Sequence, residues 1–256
     1  MTTPIAITSR DNPMVKRWRQ LAQEATAYRA ASAVWLEGDH LIRALLARGH
    51  QPVTLVGTDA GLAQAATWGV AASVRQVQLP AALMAHISGL PSAPAVAAVH
   101  ALPPAIAPQP GLPSVVLDRL QDPGNVGSVL RSAAAFGFRQ VLALKGTAAL
   151  WSPKVLRAGM GAHFGLQVVE GLEASALAAL DMPLLATSSH EGEWLHQARL
   201  PWPCAWLLGH EGQGVAPALM ALAQRQVRIA QPGGEESLNV AAAAAICLHA
   251  SACGRL

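Results

Sequence analysis

Five polar residues stand at turns, or on the helix that follows one, where this chain could do chemistry: Asn125 and Arg131, Glu211, and Ser237 with Asn239. The last two close the run Val227 to Val240, in which a strand-like stretch passes through Pro232-Gly233-Gly234 into an almost wholly apolar helix. A helix start leaves backbone N–H groups unpaired and carries partial positive charge, and glycines beside it let a ligand approach the main chain. Such an end is built to hold something, although an N-cap alone would account for either Ser237 or Asn239.

Two earlier segments have the same character. Val115 to Leu117 read as a strand and Asp122-Pro123-Gly124 as a turn, after which Val126, Val129, Leu130, Ala133 and Ala134 recur at helical spacing. Asn125 therefore falls at a strand-to-helix turn, where a cap would also explain it. Arg131 lies off the apolar stripe, on the side shared with Ser128 and Ala135, where a solvated helix face would explain it. Further on, the apolar strand ending at Leu208 empties into Gly209-His210-Glu211-Gly212-Gln213-Gly214, three glycines around one carboxylate that is costly to bury unless it is hydrogen-bonded.

Taken in this order, Asn125 and Arg131, Gly209-x-Glu211-Gly212-x-Gly214 and Ser237-Leu238-Asn239-Val240 carry a resemblance to the SpoU/TrmH family of RNA ribose 2′-O-methyltransferases, of the SPOUT superfamily. It extends from about Ser114 to the C-terminus. The run Ile7 to Lys16, with Leu36-Glu37-Gly38, is similar to the small substrate-binding domain that many members carry. The resemblance implies a C-terminal SPOUT α/β domain with a deep trefoil knot, a feature that periodicity alone would never suggest. It also implies a homodimer, an RNA partner, and S-adenosylmethionine bound by Leu208, Gly209, Glu211, Gly212, Gly214, Ile229, Pro232, Ser237, Leu238 and Asn239, with no metal.

Asn125, Arg131, Glu211, Ser237 and Asn239 match the family's catalytic positions. The family's arginine is sometimes described as a general base. A guanidinium hardly gives up its proton, so an electrostatic role, binding a phosphate and stabilising the developing alkoxide, fits Arg131 better. Asn125 would orient Arg131 or the ribose, and Glu211 would accept bonds from backbone N–H groups or help orient Arg131. Two positions depart from the family: Ala230 replaces a proline of the last motif, and Gly159 in Arg157-Ala158-Gly159-Met160-Gly161-Ala162 replaces a serine.

The composition sets the frame. With 256 residues, of which 52% are hydrophobic, the chain can bury one large or two ordinary cores, which excludes a disordered class. The apolar run around Ala241 to Cys253 is shorter than the roughly 20 residues needed to span a bilayer. Met1 to Pro4 show no secretory pattern, and Cys204, Cys247 and Cys253 form neither a C-x-x-C pair nor an even set, so a cytoplasmic setting is expected. His190 and His196 are the nearest histidine pair and lack metal-site spacing.

The proline-rich stretch 103–113 divides a first domain, 1–102, from a second, 114–256. Residues 1–102 hold eight Lys/Arg against five Asp/Glu while the remainder is balanced, so the net charge of +3 belongs to the first domain. Arg10, Lys16, Arg17 and Arg19, with Asn12 at a helix start, are the expected RNA contacts.

Alternating patterns predict α/β structure in both halves. Strands are expected at 33–36, 53–56, 74–77 and 95–101, then at 114–117, 140–144, 166–169, 183–187, 204–208 and 226–229, in largely parallel sheets. No G-x-G-x-x-G follows the first strand of either half, which disfavours a conventional dinucleotide site. The expected activity is S-adenosylmethionine-dependent 2′-O-methylation of structured RNA, ribosomal RNA ahead of transfer RNA. A non-catalytic RNA-binding protein on the same fold is the other reading.

Overall fold

The computed structural model describes residues 4–188, 191–235 and 237–254, so His190 and Glu236 lie outside the described residues. The chain divides into two compact units. One comprises residues 1–104 together with Trp151–Phe164, and the other Ala105–Leu150 and Gly165–Leu256.

The first unit begins with β1 (Ile5–Ala6), α1 (Pro13–Gln23), α2 (Ala27–Ala31), β2 (Ala33–Glu37) and α3 (Asp39–Ala47). It continues with β3 (Thr54–Gly57), α4 (Asp59–Ala65), β4 (Arg75–Gln78), α5 (Ala81–Ile87) and β5 (Val96–Ala101). Asn12 starts α1 as its N-cap, accepting from Met14 N–H at 2.9 Å ahead of Pro13. The sheet order is β1-β4-β3-β5-β2, and β5 runs antiparallel to both of its neighbours, so this sheet is mixed where a largely parallel one was expected. Alternation sets which face a side chain takes and carries nothing about strand direction.

The second unit supplies β6 (Ser114–Leu117), α6 (Pro123–Ala135) and β7 (Gln140–Leu144). The chain then contributes α7 (Pro153–Gly159) to the first unit, although that segment lies within the sequence bounds expected for the second domain. There Arg157 Nη1 meets the buried carboxylate of Glu37 at 3.6 Å, and Gly161, at φ +84°, leaves no room for a side chain against Ala44. Back in the second unit come β8 (Gln167–Leu172), β9 (Leu184–Thr187), β10 (Glu193–Trp194), β11 (Ala205–Leu208), α8 (Pro217–Met220), β12 (Arg225–Arg228) and α9 (Val240–Cys253).

Its sheet, ordered β10-β12-β9-β11-β6-β7-β8, is parallel throughout. The buried runs of β6, β7 and β11 are what a sheet covered on both faces requires. One core lies among Val116, Leu142, Leu180, Leu184, Leu207 and Leu219. Because every strand points the same way, the C-terminal ends of β6, β9, β11 and β12 share one rim, and the loops bearing the candidate residues leave from that rim.

Candidate active site

The first element of the site is the start of α6. Asp122 is its N-cap, with Oδ1 accepting from Asn125 N–H at 2.8 Å, and Pro123 occupies the first helical turn. The capping that sequence alone could have assigned to Asn125 is thus done by Asp122. The Asn125 carboxamide is left for other partners.

The second element is the loop after β11. A Cβ on Gly209 would lie 2.0 Å from the main chain at Gly214 and Val215, so only glycine permits the loop to close. Gly214 sits at φ +68°, and its N–H donates to His210 C=O at 2.8 Å. The closed loop presents Glu211 to the first element: Oε2 accepts from Gln121 N–H at 3.2 Å, and Oε1 accepts from Asp122 N–H at 3.0 Å and from Asn125 Nδ2 at 3.2 Å. Burial alone would raise the Glu211 pKa. The bonds from Asp122, Asn125 and Gln121 outweigh that and hold the carboxyl below its ordinary value.

The third element is the start of α9. Asn239 is the cap, its Oδ1 accepting from Ala241 N–H at 2.9 Å and Ala242 N–H at 3.2 Å. Two backbone donors on that oxygen fix which end of the amide is Nδ2, and Nδ2 donates to Asn125 Oδ1 at 3.0 Å. A chain of bonds from Glu211 through Asn125 to Asn239 thereby joins all three turns. Ser237 and Leu238 are exposed beside it, Pro232 is exposed, Ile229 is half-buried and Leu208 is buried at the end of β11.

Arg131 stands apart. It is exposed on α6, about 9 Å along the axis from Asn125 and about 120° round it, by helix geometry. No described residue bonds its guanidinium, so neither Asn125 nor Glu211 orients it within the chain.

Sequence reasoning missed a second lock. Asp118, 3% exposed at the end of β6, accepts from Ala216 N–H at 2.7 Å and from Arg119 Nε at 2.9 Å. Arg119, in the left-handed region at φ +58°, also donates from Nη1 to Gln213 Oε1 at 3.0 Å. This pair holds the glycine loop at Gln213 and Ala216, beyond Glu211 in the chain. Its only sequence signal was an aspartate directly following an apolar strand.

In the first unit, Arg10, Lys16, Arg19 and His86 line one groove. Burial, then Arg19 and Arg10, lower the His86 pKa. Arg17 does not join them, since its Nη2 donates to Ala31 C=O at 2.8 Å, and the Asn12 side chain is engaged as a cap.

The groups also suit a methyl donor bound through the main chain. The Cβ positions of Gly214, Gly233 and Gly234 face open space, leaving the backbone of both loops accessible, and the Gln231 side-chain oxygen is buried without a donor. Among the described residues no group of three His, Cys, Asp or Glu could hold a metal ion, and no helix is long and apolar enough to cross a membrane.

The SpoU rRNA methylase family profile matches residues 113–249, which takes in all three turns. The chain belongs to that family. An uncharacterized tRNA/rRNA methyltransferase from Synechocystis sp. is 32% identical over 97% of this chain and 94% of its own length. The 23S rRNA (guanosine(2553)-2′-O)-methyltransferase RlmP of Bacillus subtilis is 34% identical over 53% of this chain, a match that spans 56% of that relative. Among solved structures, an AdoMet-bound rRNA methyltransferase from Sinorhizobium meliloti superposes with a TM-score of 0.84 at 27% identity, covering 98% of both chains.

Proposed function

We propose that this chain methylates a ribose 2′-hydroxyl of structured ribosomal RNA with S-adenosylmethionine as donor, acting as a homodimer. The observation that carries the reading is the Glu211–Asn125–Asn239 chain, which draws three distant turns of a SpoU methylase into one site. Bound S-adenosylmethionine supplies an activated sulfonium methyl. Leu208, Gly209, Glu211, Gly212, Gly214, Ile229, Pro232, Ser237, Leu238 and Asn239 would hold it, chiefly through backbone of the two glycine-rich loops. A threaded C-terminal tail accords with the path of the chain, which leaves β12 near one edge of the sheet and reaches Asn125 beside β6 within the segment 229–239.

The acceptor hydroxyl must be placed in line with the methyl group and relieved of its proton. Arg131 suits this task because its guanidinium is exposed and no described residue bonds it: it binds an RNA phosphate and offsets negative charge growing on the ribose oxygen. A second copy supplies the remaining wall. On α9, Ala242, Ile246, His249 and Cys253 are exposed along one face, with Ile246 41% exposed, and of these His249 meets the end of α6, through Phe136.

Methylation of ribosomal RNA by Arg131→Ala, alongside calorimetric binding of S-adenosylmethionine, tests the reading. The variant is expected to keep its fold and bind donor while losing activity; wild-type turnover would remove Arg131 from the mechanism. Ile246→Glu is expected to yield a monomer in sedimentation and to lose activity with it. Mapping ribose methylation in cells with and without the protein would identify the nucleotide, and a transfer RNA target would correct the substrate.

A further inference from the structure

Trp194 is 37% exposed on β10, a strand of only two residues at the edge of the second sheet. So short a strand leaves part of the indole open to solvent, where its flat apolar surface can take a ligand. Its partner across the ladder is Arg228, in parallel register. The Arg228 guanidinium lies 4.1 Å from the indole centroid, and its Nε donates to Gly192 C=O at 3.0 Å, which fixes the planar group against the ring. Gly192 is required there: at φ +107°, a Cβ would come within 2.4 Å of Gln226 C=O. Glu193, the nearest carboxylate on the strand, is taken up by Arg225 at 3.4 Å.

Both residues end their strands at the rim from which the active-site loops leave, and Ile229, the first residue of the cofactor loop, directly follows Arg228. We propose that Trp194 and Arg228 form a stacking platform for an unpaired base of the RNA substrate, on the same rim as the site of methylation and a few nucleotides from it. A planar cation held on an indole gives a flat, positively charged surface that accepts a base on its π-face and attracts the adjoining phosphate. The assignment rests on the RNA methylation proposed above and extends it: β10 lies four strand positions from β6, about 19 Å at the usual strand spacing, so the substrate must present a base free of its helix a few nucleotides from the acceptor ribose.

The test uses full-length protein with Trp194→Ala, Trp194→Phe and Arg228→Lys, and a single-stranded oligoadenylate carrying 2-aminopurine as probe. Trp194→Ala should weaken oligonucleotide binding roughly tenfold or more and abolish the quenching of 2-aminopurine that wild type produces. Trp194→Phe should keep most of both, and Arg228→Lys should lose affinity while retaining charge. S-adenosylmethionine affinity by calorimetry and mass by sedimentation should match wild type in all three. Wild-type affinity for the oligonucleotide in Trp194→Ala would overturn the proposal, as would an equal loss of S-adenosylmethionine binding, which would place the cofactor's adenine on the indole, or a change of oligomeric state. If wild type methylates ribosomal RNA yet does not quench the probe, the platform fails alone; if it neither methylates nor binds RNA, the functional reading fails with it.

Discussion

Asn239 donates its side-chain amide to Asn125 at 3.0 Å across 114 residues of sequence, joining the N-terminal ends of α9 and α6. The rings of Phe136 and His249 meet at 5.3 Å toward the other ends, so the two helices lie side by side in the same direction. Both helix starts consequently face one place, and so do the partial positive charges they carry.

The asparagine pair can be broken from either side with different results. Asn239→Ala removes a cap and the link to Asn125, costing about 1 kcal/mol and lowering Tm by roughly 2–4 °C for a chain of this size. Asn125→Asp keeps an acceptor for Asn239 but sets a second carboxylate against Glu211 Oε1, 3.2 Å from the present amide nitrogen. Methylation should therefore fall further in Asn125→Asp than in Asn125→Ala. Single-turnover rates check this, and equal rates would mean that the Glu211 contact is not made in solution.

Glu211 gives the site an acid limit. Its pKa is lowered in the folded chain, so it binds a proton less readily there than in the unfolded chain, whose value is near 4.3. The stability it contributes is fully present above that value and is lost as pH falls through the lower folded value. Thermal melts of wild type and Glu211→Gln should differ most at neutral pH and converge below about pH 4. A gap that widens with acid would reverse the sign and refute the bonding of Glu211 to Gln121 and Asp122.

Much of this site was legible in the residues. Gly209, Gly214 and the turn at Asp122-Pro123 announce themselves because steric exclusion and fixed φ act locally, and the strands of the second sheet follow from continuous apolar runs. What stayed hidden is non-local. That Asp122 and not Asn125 would cap α6 depends on which side chain Glu211 claims, and the Asp118–Arg119 lock depends on a backbone N–H at Ala216 that only the folded loop brings close. The association of α7 with the first unit is of the same kind, since the Arg157–Glu37 pair spans segments far apart in sequence.

The thiols should divide sharply. Burial pushes Cys204 up to about 11 and Cys247 up to about 12, whereas Cys253 is exposed near the end of α9. A disulfide reagent at pH 8 should label one thiol per chain quickly and the other two only after denaturation, and Cys253→Ser should remove the fast phase. Rapid labelling of Cys247 would show that α9 leaves the sheet in solution.

The basic groove of the first unit makes a prediction that depends on where each guanidinium points. Lys16 and Arg19 line the groove with Arg10, and the exposed Lys16–Asp11 pair at 3.1 Å is too well solvated to hold Lys16 back. Arg17 is turned away, bonded to Ala31 C=O between α1 and the end of α2. If RNA phosphates lie in this groove, Lys16→Ala and Arg19→Ala should each reduce the slope of log affinity against log salt by roughly 0.7–0.9, while Arg17→Ala should leave the slope unchanged and lower Tm instead. Equal slope changes in all three would show that general charge attracts the RNA; no change in any would move its phosphates off this face.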